Sequence, residues 1–274
     1  MMYESFFEME HTPFVRNVPA DRLYTSPRLD EQFDRLLCAS AEQLFAVLYA
    51  DAGCGKTTLI RKLAAALPKD EYLLLYVSDS GLTPRWLYRS LLEQLGLEPK
   101  PNRGDAKRQL HKELEIIHGV QHKKVVCVLD EAHLLDRETL EEFRFLLNVK
   151  FDSENPMALI LVGQTELWEQ KLKLKRYSAI TERIDIPCVL SHLDRAETEQ
   201  YIESHLAYAY DGEEKQIFTD KAMDEIHKVS YGIPRMINRV CEKSLTYAAQ
   251  QHKRLVDDHM VRYVSEHEMV AIGV

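Results

Sequence analysis

Short runs of apolar residues alternate with longer segments of mixed polarity through the N-terminal part of the chain. Each run has about the length of a strand, is rich in β-branched or bulky side chains, and contains few polar positions. Continuous apolar runs of this kind are typical of strands that are buried on both faces of a parallel sheet. We therefore predict four strands, at residues 44–49, 72–77, 125–129 and 157–162.

The segments between these runs carry the start signals of helices. Ser26-Pro27 and Thr83-Pro84 each place a hydroxyl side chain at the N-cap position, before a proline in the first turn. Further helices are predicted to begin at Lys56 and to cover residues 105–118 and 136–149. Strands that alternate with helices indicate an α/β fold, with a parallel sheet as its core and helices on its faces.

Beyond about residue 190 the strand-like runs end and only helical patterns remain. Thr219 and Asp257 are suitable N-caps for two of these helices. We predict a small all-helical C-terminal domain over 191–274, and an α/β domain over 1–190 that includes an N-terminal segment at 1–43. The predicted helices of the C-terminal domain lie at 194–210, 219–229, 234–250 and 257–267.

Composition and charge narrow the class of protein. The 274 residues are 45% hydrophobic and 29% charged, which is ordinary for a globular chain, and the net charge of −9 excludes binding nucleic acid by bulk charge. The sequence has no signal-peptide pattern and no apolar stretch near the roughly 18–20 residues that span a bilayer. Five widely spaced cysteines without a CxxC pair indicate reduced thiols. We expect a cytoplasmic protein without membrane association.

A phosphate-binding loop follows the first predicted strand. The residues Ala50-Asp51-Ala52-Gly53-Cys54-Gly55-Lys56-Thr57-Thr58 lead from that strand into a helix, which is the context that a P-loop requires. Backbone N–H groups of such a loop point at phosphate oxygens, its lysine bridges the β- and γ-phosphates, and the next hydroxyl binds Mg²⁺. We predict that ATP and Mg²⁺ are bound by Ala52, Gly53, Cys54, Gly55, Lys56, Thr57 and Thr58.

Ala50 departs from the P-loop pattern, which has glycine at this first position. Alanine keeps the backbone donors of the loop. It would cost about 1 kcal/mol if the position needs a positive φ, because a Cβ atom is strained in that conformation. We therefore predict that the loop binds nucleotide, and the departure leaves open whether turnover is fast.

An acidic pair, Asp130-Glu131, ends the third predicted strand. Asp130 would hold Mg²⁺ directly or through water, and Glu131 would be the general base that polarises the attacking water. Two acids at the end of a strand are a weak signal alone, since many strands reach solvent there. Together with the P-loop, and with an extra strand predicted at 72–77 between the two motifs, the pair is typical of the hydrolytic AAA+ branch.

Several short pieces of sequence occur in an order and spacing that are specific as a set. They are Phe6-Phe7, Thr12-Pro13-Phe14, the loop at 50–58, Leu129-Asp130-Glu131-Ala132-His133, Leu161-Val162-Gly163-Gln164-Thr165-Glu166-Leu167, Glu182-Arg183-Ile184, Glu197-Thr198, Tyr201-Ile202, Ser230-Tyr231-Gly232-Ile233-Pro234-Arg235 and Asn238-Arg239. Through these pieces the chain resembles, over nearly its full length, the AAA+ ATPases grouped with general-secretion-pathway A-type proteins. Mu B-like selectors of transposition targets are close relatives of that group.

The resemblance implies two roles next to the γ-phosphate. Gln164 would be the sensor that orients water and the γ-phosphate, with Thr165 as the alternative. Arg183 would be an arginine finger that reaches the ATP of a neighbouring subunit, with Arg176 as its rival. A finger of this kind neutralises charge in the transition state and is worth about 10³–10⁵ in rate. The plainer interpretations are a strand cap for Gln164 and a structural salt bridge for Arg183.

The resemblance also implies two roles outside the α/β core. Arg235 would be a second sensor that couples the helical domain to the γ-phosphate, and its plainer interpretation is a contact of its own helix. Phe14, in the N-terminal segment, would pack near the adenine, and its plainer interpretation is a core side chain.

For the whole protein, the resemblance implies an ATP-dependent regulator of DNA transposition. Such a protein assembles with copies of itself as a ring or filament on double-stranded DNA and communicates with a transposase or target-selection partner. In related transposition ATPases the region equivalent to 85–108 lines the ring interior, so we expect phosphate contacts there, with a solvated helix face as the alternative. The candidates, around an irregular loop predicted at 100–104, are Arg85, Lys100, Arg103, Lys107 and Arg108.

A secretion-type assembly ATPase that acts on protein partners is the alternative function. Longer members of that branch carry a membrane anchor and a wall-binding domain after the ATPase. This sequence shows neither, which favours the transposition hypothesis. A third hypothesis is a nucleotide-controlled scaffold with almost no turnover, which Glu131 and Arg183 oppose and Ala50 supports.

Overall fold

A computed structural model describes residues 3–78, 81–147, 155–213 and 215–269. Two units make up this part of the chain. The unit that contains the sheet comprises Pro27–Ala52 and Lys56–Leu190. The other unit is helical and comprises the described residues up to Ser26, the short stretch Gly53–Gly55, and the described residues from Ser191 onward. No helix in the described ranges is long and apolar enough to cross a membrane.

Five parallel strands form the sheet, in the order β2-β3-β4-β1-β5. Leu129 of β3 lies beside Val77 on one side and Leu161 on the other, so the carboxyl ends of neighbouring strands share one edge. The four strands predicted from the apolar runs are confirmed, with bounds within one residue. The strands are β1 Phe45–Ala50, β2 Tyr72–Val77, β3 Lys124–Leu129, β4 Ala158–Gly163 and β5 Ile186–Leu190.

The edge strand β5 is absent from the four strands predicted from the sequence. It contains Pro187 and alternates exposed and buried positions, so it lacks the continuous apolar run of a central strand. Proline fits here because an edge strand leaves one row of N–H groups outside the ladder. Val189 donates its N–H to the Gln32 side chain at 3.1 Å, which satisfies part of this edge.

Helices are numbered α1–α11 along the chain, and α2–α7 lie in the sheet-containing unit. Thr83 and Asp136 cap α4 and α6 through their side chains, which accept the N–H groups of Trp86 and Thr139. The loop predicted at 100–104 is shorter than expected, because α5 already begins at Arg103. The predicted end of α6 at 148–149 lies outside the described residues. The bounds are α2 Pro27–Ala41, α3 Lys56–Ala66, α4 Pro84–Gln94, α5 Arg103–Gly119, α6 Arg137–Leu146 and α7 Ser178–Thr181.

The helical unit contains the four C-terminal helices at their predicted places. Asp194, Thr219 and Asp257 cap three of them, and Pro234 opens the fourth. Their apolar faces meet in one core, which is the usual way in which amphipathic helices gain stability. With the short N-terminal helix, the bounds are α1 Tyr3–Phe7, α8 Arg195–Ala209, α9 Asp220–Ser230, α10 Pro234–Gln250 and α11 Asp258–His267.

The N-terminal residues up to Ser26 lie in the helical unit, not in the α/β domain where the segment 1–43 was placed. Phe7 and Phe14 are buried in the same core as Ile202 of α8. The Tyr210 hydroxyl also donates to the backbone carbonyl of Phe7 at 2.9 Å. These apolar contacts join the N-terminal segment to the helical unit. The position of the segment in the sequence does not reveal them. Within the segment 1–43, the part from Pro27 onward, which contains α2, lies in the sheet-containing unit.

Candidate nucleotide-binding site

The predicted P-loop runs from the end of β1 at Ala50 to the start of α3 at Lys56. Gly53 and Gly55 have φ values of +91° and +92°, a conformation in which a side chain would be strained. Ala50 is paired with Leu190 as the last residue of β1, and its φ is not positive. The strain considered for alanine at this position therefore does not arise.

Lys56 is oriented by the loop that precedes it. Its Nζ donates to the carbonyl oxygens of Ala50, at 2.9 Å, and Asp51, at 3.0 Å. These bonds hold the ammonium group beside the loop, where the P-loop pattern requires a partner for phosphate oxygens. Among the other predicted phosphate ligands, Ala52 and Thr58 are exposed and Cys54 is buried.

Asp130 follows β3 and is 6% exposed. Its Oδ2 accepts the Thr57 hydroxyl at 3.2 Å, and its Oδ1 accepts the Glu131 backbone N–H at 2.8 Å. Hydroxyl and carboxylate oxygens are the ligands that Mg²⁺ prefers, and this ion usually takes one or two from protein and the rest from phosphates and water. In the described residues, no group of three or more His, Cys, Asp or Glu could hold a metal by itself. The pair therefore fits an ion that arrives with a nucleotide.

Tyr76, in β2, is a site residue that the sequence did not reveal. Its hydroxyl donates to Asp130 Oδ2 at 2.7 Å, the same oxygen that Thr57 approaches. Burial, reinforced by the Asp130 carboxylate, holds the pKa of Tyr76 well above its usual value, so the hydroxyl stays a donor. The signal was the position of Tyr76 in the strand next to β3, opposite Val128 in the register.

Glu131 has a left-handed backbone, with φ 54° and ψ 30°. This conformation is uncommon for a residue with a side chain, and such strain concentrates at functional sites. The carboxylate is partly exposed and lies 3.5 Å from Nδ1 of His133. Glu131 is thus beside Asp130 in an accessible position, as a general base requires.

Gln164 and Thr165 follow β4 at the same edge of the sheet. The Gln164 backbone N–H donates to Nδ1 of His133 at 3.4 Å. The Thr165 hydroxyl donates to the Asp51 carboxylate at 2.5 Å, so this alternative sensor contacts the P-loop directly. The structure therefore brings together the ends of β1, β3 and β4, which carry the P-loop, the acidic pair and the two candidate sensors.

The two candidate arginine fingers lie just before β5. Arg183 follows α7, is half-buried, and donates its backbone N–H to Ile180 at 3.0 Å. Its side chain lines an open groove with Arg144 and Glu182. Arg176 is exposed and has its guanidinium 5.3 Å from the centre of the Tyr177 ring. Both arginines lie on the sheet-containing unit, and the finger role stays a prediction.

Arg235 and Phe14 belong to the helical unit. Arg235, the second residue of α10, is exposed, and its backbone N–H donates to the Gly53 carbonyl at 3.2 Å. Phe14 is buried, and its backbone N–H donates to Nδ1 of His205 at 3.2 Å. Burial lowers the pKa of His205 to about 4, so the ring is neutral near pH 7 and can accept this bond. Phe14 is therefore held in a core, and its contact with adenine stays a prediction.

The predicted DNA contacts differ in how strongly they are paired. Arg103 donates to Glu138 and Glu142, and Lys107 donates to Glu142 at 3.2 Å. Glu142 is buried and also accepts the Tyr88 hydroxyl. Burial alone would raise the pKa of Glu142, but these donors outweigh it and hold the pKa below its usual value. Much of the charge of Arg103 and Lys107 is thus neutralised within the unit.

The remaining candidates for DNA contact are exposed. Arg85 and Lys100 lie on the surface at the start of α4 and before α5. Arg108 is 78% exposed and pairs with Asp105 of its own helix, and exposed pairs of this kind are worth only about 0–1 kcal/mol. A phosphate group would compete with such a pair at little cost. Arg103 is exposed as well, but its guanidinium is paired with Glu142, so these three side chains are the part of the predicted basic cluster that this buried carboxylate does not hold.

The sheet order, the P-loop and the acidic pair after β3 are those of a P-loop α/β fold of the AAA+ type. Residues 39–170 match the AAA domain family. The chain also resembles the general-secretion-pathway A-type ATPases. It is 31% identical over 259 residues to the General secretion pathway protein A of Aeromonas hydrophila, which covers 92% of this chain and 46% of that protein. The chain thus spans less than half the length of this relative.

Solved structures share the fold at low sequence identity. Cdc6p from Pyrobaculum aerophilum has a TM-score of 0.69 and 17% identity, over 98% of this chain and 72% of that one. Drosophila ORC bound to DNA has a TM-score of 0.68 and 17% identity, over 99% of this chain and 67% of that one. Likeness at this level of identity supports the AAA+ fold and leaves the activity to be argued from the site.

Proposed function

We propose that this chain is a Mg²⁺-dependent ATPase. The observation that carries the proposal is the arrangement around Asp130, whose two oxygens contact the Thr57 hydroxyl and the Glu131 backbone at the edge where Lys56 begins α3. One carboxylate thereby links the phosphate loop to the general base. The AAA domain match over residues 39–170 supports the same activity.

In the proposed reaction, the loop amides and Lys56 bind the β- and γ-phosphates, and Thr57 and Asp130 would hold Mg²⁺. The ion would neutralise charge on the transferring phosphoryl group. Glu131 accepts a proton from water as the water oxygen bonds to the γ-phosphorus, and the bond to the β–γ bridging oxygen breaks. ADP and inorganic phosphate are the products. Gln164 or Thr165, and Arg235, would respond to the γ-phosphate.

The proposed site is completed by a neighbouring copy of the chain through Arg183. We expect Arg183→Ala to lower ATP hydrolysis by at least about 100-fold, because a finger is worth about 10³–10⁵ in rate. A 1:1 mixture with Lys56→Ala should recover activity towards about a quarter of wild type, since that fraction of head-to-tail interfaces combines an intact loop with an intact finger. The measurement is phosphate release by each variant alone and by the mixture.

Arg176→Ala is the matched variant for this experiment, because Arg176 is the rival finger and lies nearby on the same unit. Recovery with Arg176→Ala but not with Arg183→Ala would transfer the role to Arg176. No recovery with either variant, at protein concentrations where copies associate, would show that no finger crosses between subunits.

We further propose that the ATPase regulates DNA transposition, assembling as a ring or filament on double-stranded DNA and communicating with a transposase. The accessible cations Arg85, Lys100 and Arg108 support DNA contact at α4 and α5. The net charge of −9 is compatible with this, because an assembly repeats a small basic patch around the duplex. The similarly folded Drosophila ORC was solved bound to DNA, which is a property of that protein.

Fluorescence anisotropy of a labelled duplex, with and without ATP and across a salt series, tests the DNA proposal. We expect ATP-dependent binding that weakens with salt, and a salt slope reduced by about 2 per subunit in Arg85→Ala/Arg108→Ala, because each lost phosphate contact removes about 0.9. Arg103 and Lys107 are poor choices for this test. Removing them would leave the buried Glu142 carboxylate short of donors, which costs about 3–5 kcal/mol of stability.

The control for this experiment is Arg262→Ala, which removes one exposed cation from α11, outside the predicted cluster. It should leave the salt slope unchanged. An equal effect of the control would show bulk electrostatics instead of a contact surface, and no ATP-dependent binding at low salt would overturn the DNA proposal.

A secretion-type assembly ATPase acting on protein partners is the second candidate. It is favoured by one specific observation, the 31% identity to the General secretion pathway protein A of Aeromonas hydrophila. This candidate predicts no ATP-dependent binding to double-stranded DNA. The binding experiment therefore separates the two candidates.

A further inference from the structure

His133 connects the proposed general base, Glu131, to the end of β4, where the candidate sensors Gln164 and Thr165 lie. Nδ1 of its ring lies 3.5 Å from Oε2 of Glu131 and 3.4 Å from the backbone nitrogen of Gln164. We propose that His133 is a positioning residue for ATP hydrolysis, which sets the direction of the Glu131 carboxylate through this shared nitrogen. The inference rests on the proposed ATPase function, in which Glu131 receives the proton of the attacking water.

The ring is fixed in place by its surroundings. The His133 side chain is only 11% exposed, and the residue lies in a short 3-10 turn, Ala132–Leu134. Leu134 donates its N–H back to the Glu131 carbonyl at 2.9 Å, which closes the turn directly behind the general base. A partly buried imidazole on such a turn has few alternative positions, because exposed rotamers would lose its packing.

The close approach of β4 to this turn depends on Gly163. A Cβ at this position would lie 3.1 Å from the backbone nitrogen of His133 and 2.7 Å from the Leu167 side chain. The missing side chain therefore lets the next peptide, that of Gln164, reach the imidazole. Glu131, which has a left-handed backbone, brings its carboxylate to the same ring nitrogen.

One ring nitrogen cannot serve both partners at once. In the tautomer with the proton on Nε2, Nδ1 accepts the Gln164 N–H and gives no hydrogen bond to Glu131. In the tautomer with the proton on Nδ1, it donates to Oε2 of Glu131, and Oε1 is left to receive the proton from water. The choice between these bonds couples the direction of the general base to the end of β4, where Gln164 and Thr165 lie.

Substitution at His133 tests the proposal through the rate of hydrolysis. We expect His133→Ala to lower kcat by about 10- to 100-fold, the range for lost positioning groups, while the Kd for ATP changes by less than about 3-fold. His133→Asn should recover most of kcat because its amide occupies the place of Nδ1. His133→Gln should not, because its longer side chain carries the amide to the place of Nε2.

His111→Ala is the matched control, since His111 is a half-buried histidine on α5 of the same unit and has no role in the proposed site. It should leave kcat unchanged. The proposal is overturned if His133→Ala keeps wild-type kcat, if asparagine and glutamine rescue equally, or if kcat in all variants simply follows Tm. Failure of the ATPase proposal looks different, because wild type would then hydrolyse no more ATP than Glu131→Gln.

A second measurement does not depend on hydrolysis. In ¹⁵N spectra, His133→Ala should move the Gln164 amide resonance, and Glu131→Gln should move the ring nitrogen signals of His133, while His111→Ala moves neither. Unchanged resonances in the first two variants would overturn the shared-nitrogen arrangement even in a chain without turnover.

Discussion

Replacing Lys56 by alanine is expected to abolish ATP binding, with a loss of affinity of at least about 100-fold. Hydrogen bonds to charged groups contribute about 1.5–3 kcal/mol each, and the lysine of a P-loop contacts two phosphates. Its removal should therefore weaken the free energy of ATP binding by about 3 kcal/mol or more. Lys56 Nζ already donates hydrogen bonds to the loop carbonyls of Ala50 and Asp51, so the backbone does not need to rearrange to bring the ammonium group to the phosphates. Isothermal titration calorimetry with ATP and Mg²⁺ measures the effect.

Lys62→Ala is the matched control for this variant. Lys62 is another lysine of α3, paired with Asp30 at 3.0 Å and outside the loop. It should bind ATP like wild type, and both variants should unfold at a Tm close to that of the parent chain. Unchanged affinity in Lys56→Ala would remove the phosphate-binding role from this loop.

Replacing Glu131 by glutamine should stop hydrolysis and preserve ATP binding. A general base contributes about 10²–10⁴ in rate, so kcat should fall by at least about 100-fold, while the Kd should stay within about 3-fold. Binding persists because Asp130 keeps its contacts with Thr57 and with the backbone of residue 131, which do not involve the glutamate side chain. Phosphate release and nucleotide titration on the same preparation separate the two effects.

Glu141→Gln serves as the control, because Glu141 pairs with Arg137 on α6 and takes no part in the site. Its kcat should match wild type. A Glu131→Gln variant that still turns over ATP at the parent rate would show that another group activates the water. Asp51 would then be the next carboxylate to test, since it lies in the P-loop and accepts the Thr165 hydroxyl.

Central elements of the fold were readable from the sequence because their signals are local. A continuous apolar run specifies a buried parallel strand, and a hydroxyl before proline specifies a helix start, as at Thr83. The edge strand β5 carries neither signal, because one face meets solvent and Pro187 interrupts the pattern. The N-terminal segment was misplaced for a related reason. Its few apolar side chains, such as Phe14, choose their partners only in three dimensions.

The residues of the candidate site also divide into those that have a local signal in the sequence and those that do not. The P-loop and Asp130-Glu131 are visible because neighbouring residues carry the chemistry. Tyr76 is invisible because it and its partner Asp130 lie 54 positions apart in the chain. The basic cluster shows the opposite error, since the sequence displays the charge of Arg103 but not the buried Glu142 that neutralises it. Contacts between distant positions decide both cases.

The two carbonyls that hold Lys56 have a consequence for selectivity among nucleotides. A phosphate oxygen that accepts the ammonium protons of this lysine shares them with, or takes them from, the carbonyls of Ala50 and Asp51. Adenosine di- and triphosphate carry a β-phosphate that can do so, whereas a monophosphate ends one group too early. We therefore expect Lys56 to favour nucleotides with at least two phosphate groups over a monophosphate.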